Sequence, residues 1–104
     1  MSNIYFPLFL DDVKDFIKNL ADADQGKINA IVRAMEMGDF KSVYIKTLKA
    51  PIKELIIKKY RFIFFINKNT IYFIRAFVKK TAKTPKNEIE NAKKVYKIIL
   101  ENHK

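Results

Sequence analysis

The chain has 104 residues, no cysteine, and 21 lysines and arginines against 11 acidic residues, for a formal charge of +10. That length supports one modest hydrophobic core, so a single domain over residues 1–104 is expected, and the lack of cysteine excludes disulfides, thiolate nucleophiles and cysteine-based metal sites. The excess charge lies in the second part, since residues 1–40 carry −3 and residues 41–104 carry +13; such polarity favours a polyanion, whether nucleic acid, an acidic protein or an anionic membrane surface.

Ser2, Asn3 and Ile4 do not form the basic start of a signal peptide, and the apolar run from Tyr5 to Leu10 is cut short by Asp11 and Asp12. Nothing approaches the roughly 20 apolar residues of a membrane span. Pro7 suits the first turn of a helix, after which Val13, Phe16, Ile17 and Leu20 recur at spacings of three and four, the stripe of an amphipathic helix. After a break at Ala21 to Asp24, a second helix is expected with Asp22 or Asp24 as its cap, a buried face of Ile28, Ile31, Val32 and Met35, and Gly38 at its end. The five early aspartates, Asp11, Asp12, Asp15, Asp22 and Asp24, are accounted for by helix-end charge and solvation rather than by a cation site.

From Val43 the composition turns β-branched and aromatic. Strands are expected over Ser42 to Leu48, Ile52 to Lys58, Tyr60 to Ile66 and Thr70 to Val78, with breaks at Ala50-Pro51 and Asn67-Lys68-Asn69. The last two are too apolar for a sheet wetted on one face, which makes them central. Thr84-Pro85 reads as a helix start, with Thr84 as capping hydroxyl, and Ile89, Ala92, Tyr96 and Ile99 give the buried stripe. Glu88 and Glu90 suit the electrostatics of that start. The predicted class is α+β: two helices, a four-stranded, mainly antiparallel meander and a final helix.

Two glycines, Gly26 and Gly38, are too few for a phosphate-binding glycine loop; His103 is the sole histidine, so a His-based metal site is excluded, and no Ser-His-Asp set can be assembled convincingly. No metal or other cofactor is expected. The cations that matter are those placed against the pattern: Arg61 interrupts the apolar run of the third strand and Arg75 that of the fourth. An ion in such a run requires a partner or an open face. Glu54 is one candidate partner for Arg61; a phosphate is the alternative, because the guanidinium fork matches its oxygens. Lys79 and Lys80 point to opposite faces if the strand runs through them, and Lys83, Lys86, Lys49 and Lys58 add candidate phosphate contacts. Tyr60 and Phe77 lie among these charges as candidates for proton transfer or base stacking, with a place in the core as the plainer reading. With no evident protein nucleophile, the chemistry left open is metal-free cleavage of RNA, where the 2'-hydroxyl attacks and cations stabilise the pentacoordinate phosphate.

The segment KELIIKKYRFIFF from Lys53, followed by IRAFVKKTAKTPKNEIENA from Ile74, resembles the HigB branch of the RelE-like toxins, the phage-derived toxin-like proteins, and the similarity extends from about Tyr5 to Leu100. The resemblance implies a RelE-like fold and a cytoplasmic type II toxin that cleaves messenger RNA on the ribosome without metal. It implies silencing by a small antitoxin protein encoded nearby, with DNA contacted only through that antitoxin. It places Arg61, Lys79 and Lys80 as catalytic residues, Lys83 as a phosphate contact and Phe77 under the site or against a base. Two positions depart from the family pattern: Ile56, where Arg commonly follows Glu-Leu, and Arg75, where His or an apolar residue is frequent. The departure at Ile56 motivates an alternative, a nonenzymatic RNA- or ribosome-binding module.

Overall fold

A computed structural model describes residues 4–102; Ser2, Asn3 and His103 lie outside the described residues. The elements in chain order are β1 (Phe6–Phe9), α1 (Asp11–Lys18), α2 (Asp22–Glu36), β2 (Tyr44–Lys49), β3 (Ile52–Ile57), β4 (Tyr60–Asn67), β5 (Thr70–Val78) and α3 (Lys86–Asn102). The predicted class holds, with one strand more than expected. Phe6-Pro7-Leu8-Phe9, expected to run into the first helix, forms β1 and pairs parallel to β5, giving a five-stranded sheet of order β1-β5-β4-β3-β2. Pro7 is tolerated because β1 is an edge strand, where a missing N–H need not break a ladder. The remaining pairings are antiparallel, and β4 is central.

Both faces of the sheet are covered. On one face, Leu55, Ile57, Tyr60, Phe62, Phe64, Ile71 and Phe73 pack with Val13 of α1 and Ile28, Val32 and Met35 of α2. On the other, Ile52, Ile63, Phe65, Tyr72 and Ile74 pack with Ala92 of α3, with Tyr96 edge-on to Phe65 at 4.7 Å between ring centroids. Phe62, Phe64, Phe65 and Phe73 are fully buried, each contributing about 1.5–3 kcal/mol of transfer free energy. Among the described residues no helix is long and apolar enough to cross a membrane.

Helix ends depart from the sequence reading in an instructive way. α2 is capped at its start by Ala21 with no side-chain cap bond, and Asp22 and Asp24 fall inside its first turn. Its end is as expected: Gly38 (φ 81°) donates to the Met35 carbonyl and Asp39 to that of Ala34, the bond pair of a left-handed helix stop that glycine adopts without strain. At α3, Pro85 precedes the first turn and its carbonyl accepts from the Glu88 and Ile89 amides. Thr84 does not cap that helix; its hydroxyl donates to Glu54 on β3.

Candidate functional site

α3 covers the half of its sheet face that carries Ile52, Phe65 and Tyr72, and leaves the ends of β3, β4 and β5 to be roofed by the segment 79–85. Directly opposed residues in an antiparallel pair share a face. Lys46 opposes Glu54, Ile56 opposes Arg61, and Arg61 opposes Phe77, so these five side chains form the floor of one cleft. A register shift in β5 makes this possible. Phe73 pairs with Phe64 and Arg75 with Ile63, leaving Ile74 unpaired. The extra residue reverses the alternation of faces downstream, so Arg75 and Phe77 join the face that already holds Tyr72 and Ile74.

The cleft is about 60 Å³ in volume and is lined by those five residues together with Lys79, Lys80, Thr81, Ala82, Lys83, Thr84 and Pro85. It is small beside the ~300–1,000 Å³ of sites that enclose a whole small molecule, and suits one anionic group of a larger ligand. Five cations line it against one carboxylate. Arg61 is 8% exposed; its Nη1 donates to the carbonyls of Lys58 and Tyr60, both at 2.9 Å, and its Nε lies 3.9 Å from Glu54 Oε1. Arg61 is itself part of the cleft lining, and among the described residues no buried side-chain nitrogen or oxygen lacks a partner. Glu54, 3% exposed, thus serves Arg61 with one oxygen and the Thr84 hydroxyl with the other. One buried carboxylate thereby fastens the lysine-bearing segment to the sheet. The Lys79 amide, donating to the Lys59 carbonyl at 2.7 Å, and the Thr81 hydroxyl, donating to the Lys83 carbonyl at 2.6 Å, set the shape of that segment.

Of the residues singled out from sequence, Arg61, Phe77, Lys79, Lys80 and Lys83 meet in this cleft. β5 stops at Val78, so Lys79 and Lys80 are not on opposite faces of a strand; both line the cleft. The other candidates lie elsewhere. Tyr60 faces the α1–α2 layer, edge-on to Phe16, and its hydroxyl donates to Asp24 at 2.6 Å. That bond raises the Tyr60 pKa above its ordinary value, and the sheet separates its ring from the cleft. Lys58 pairs with the same Asp24 at 2.6 Å, and the two donors, Lys58 first, lower the Asp24 pKa. Arg75 is engaged by Glu88, Nε to Oε1 at 2.6 Å and Nη2 to Oε2 at 3.4 Å, and this contact raises its pKa. Lys49 lines a different groove beside Lys93, Lys94 and Lys97 of α3, and Lys86 stands exposed at the start of that helix. Lys46, Glu54 and Thr84 complete the cleft but were not among the site residues expected. Counting back from the Ala50-Pro51 turn finds Lys46 opposite Glu54 only once the register shift between Thr47 and Lys49 is known.

Solved structures share this architecture. A chain of the RelB–RelE antitoxin–toxin complex from Methanococcus jannaschii superposes with a TM-score of 0.59 at 19% identity, covering 68% of this chain and 88% of that one. A chain of the archaeal RelE–RelB complex from Pyrococcus horikoshii OT3 gives 0.61 at 15% identity, covering 76% and 99%. The isolated E. coli RelE toxin gives 0.56 at 12% identity, covering 88% and 98%. The fold is RelE-like. Residues 15–97 match the family described as "Phage derived protein Gp49-like", and the chain belongs to that family. No curated protein matches it significantly.

Proposed function

We propose that this protein is the toxin of a type II toxin–antitoxin system, of the HigB kind, and an endoribonuclease that cuts messenger RNA on the ribosome in the cytoplasm. The observation that carries this reading is the position of Arg61, a guanidinium on the cleft floor facing Lys79, Lys80 and Lys83 in a space sized for a phosphate. In the proposed reaction the RNA 2'-oxygen forms a bond to phosphorus as the bond to the 5'-oxygen breaks. Charge grows on the non-bridging oxygens, where the Arg61 guanidinium and the lysine ammonium groups stabilise it; loss of one such donor typically costs about 10²–10³ in rate. Lys79 or Lys80 protonates the departing 5'-oxygen, the 2'-hydroxyl proton passes to water, and no step calls on a metal. Lys83 holds the neighbouring phosphate, and the more distant Lys49, Lys58, Arg75 and Lys86 act, if at all, along the rest of the strand.

The test maps 5' ends in ribosome-bound RNA after induction. New ends are expected with the native chain and a loss of at least about tenfold with Lys79→Ala/Lys80→Ala, which changes exposed residues only. Equal cutting by that variant would remove the two lysines from the reaction. The alternative, an RNA- or ribosome-binding module without catalysis, is favoured by the apolar Ile56 opposite Arg61 and by the carbonyls that occupy Nη1; it predicts salt-sensitive binding and no new ends. A small antitoxin protein is the proposed regulatory partner, in keeping with the RelB–RelE complexes of the same fold, and co-purification with the product of the adjacent gene tests it.

A further inference from the structure

Beside the phosphate-sized cleft lies a second hollow of about 340 Å³, bounded by Phe77, Val78, Lys80, Thr81, Pro85 and Glu88. Phe77, Lys80, Thr81 and Pro85 line both spaces, so the two are immediate neighbours. Their chemistry differs. The cleft is cationic, whereas the hollow sets the apolar surfaces of Phe77, Val78 and Pro85, with the shared Lys80, around one buried carboxylate, Glu88, 7% exposed. A ring surface beside a fixed polar group is the combination that holds an unstacked nucleobase: stacking accepts any base, and the polar group chooses among them.

A helix-start charge would suit Glu88 in any orientation, but here Arg75 grips it through two bonds, at 2.6 and 3.4 Å, which fixes the carboxylate as a bidentate pair does. A carboxylate has about four acceptor positions, and the longer contact leaves Oε2 the less committed oxygen. Among the four RNA bases, guanine alone presents two adjacent N–H donors, at N1 and N2, on its Watson–Crick edge. Adenine, cytosine and uracil each set an acceptor beside their donor, and an acceptor facing a carboxylate is repelled.

We propose that this hollow is a guanine-selective base subsite, with the base against Phe77 and Pro85 and its N1–H and N2–H donating to Glu88. The subsite rests on the RNA reading above and adds to it the residue that selects the base. The test is fluorescence anisotropy at fixed salt with short 2'-O-methyl oligonucleotides, which cannot be cut, carrying one central guanine, inosine, adenine, cytosine or uracil in a constant background. Guanine is expected to bind about tenfold tighter than the others, inosine to lose most of that advantage because it lacks the N2 amino group, and Glu88→Gln to level guanine with inosine. Equal affinity for all five, no binding to any, or a guanine preference that survives Glu88→Gln overturns the subsite. The guanine–inosine comparison uses the native protein and needs no variant to fold. Guanine-selective binding by a protein that makes no cuts on ribosomes would retire the nuclease and leave the subsite standing; cuts indifferent to guanine would do the reverse.

Discussion

Glu54 is the residue on which the cleft turns, because it has two clients of different kinds. Toward the sheet it faces Arg61; toward the loop it accepts from Thr84. Both ions are almost wholly buried, and a buried charge that loses its partner is far more costly than a buried pair. Glu54→Ala is therefore expected to destabilise the fold by about 3 kcal/mol, read as a fall in the urea midpoint. Glu54→Leu with Arg61→Met is expected to regain most of that loss while abolishing RNA binding. An unchanged midpoint in the single variant would mean that Arg61 is held by the Lys58 and Tyr60 carbonyls alone. Sequence logic reached the Arg61–Glu54 pair by asking what an arginine was doing in an apolar strand. Thr84 escaped that logic because a threonine before proline has a local explanation, helix capping, that outcompetes a contact 30 residues away.

At the level of elements, Asp24 joins the first turn of α2 to the β3–β4 turn, where Lys58 sits at a positive φ of 55°. The two bonds from Lys58 and Tyr60 hold the Asp24 pKa below its ordinary 3.8, so its contribution to stability is present above pH 3.8 and disappears as pH falls through the folded value. Tyr60 works in the opposite sense. Its pKa is raised above 10.0, so its contribution is complete below pH 10.0 and disappears as pH rises through the folded value. Denaturation across pH should show Asp24→Asn less stable than the native chain at neutrality, the gap closing in acid, and Tyr60→Phe closing its own gap in alkali. A gap independent of pH would mean that neither ionisation is coupled to folding. The same scale shows what the sequence made legible. α2, α3 and the strands from Val43 onward follow from periodicity and turn residues, and Gly38 stops its helix as read. β1 and the bulge at Ile74 do not follow, because each depends on pairing with a partner far along the chain. The bulge mattered most for the site: without it, simple alternation puts Phe77 on the face away from Arg61. The five cleft residues foreseen were legible because charge and ring stood out against apolar runs. Tyr60 and Lys58 stood out equally, and were drawn to the other face by an aspartate that looked like a cap.

Across the whole molecule, the charge is divided by the sheet as well as by the sequence. The −3 of residues 1–40 lies largely in α1 and α2 on one face, while the cleft and the lysines of α3 occupy the other. A polyanion therefore meets one cationic side, and the number of phosphates neutralised there sets the salt dependence of binding, a slope in log–log form of about −0.7 per contact for a single strand. Lys79→Gln/Lys80→Gln/Lys83→Gln should reduce that slope by about 2 in anisotropy titrations with single-stranded RNA over a range of salt. Lys14→Gln/Lys18→Gln/Lys27→Gln removes the same charge from the helix-covered side and should leave the slope nearly unchanged. Equal slopes for the two triple variants would mean that RNA responds to total charge and that the cleft has no privileged hold on the backbone, which would leave Arg61 as a structural ion held by Glu54 and by the Lys58 and Tyr60 carbonyls.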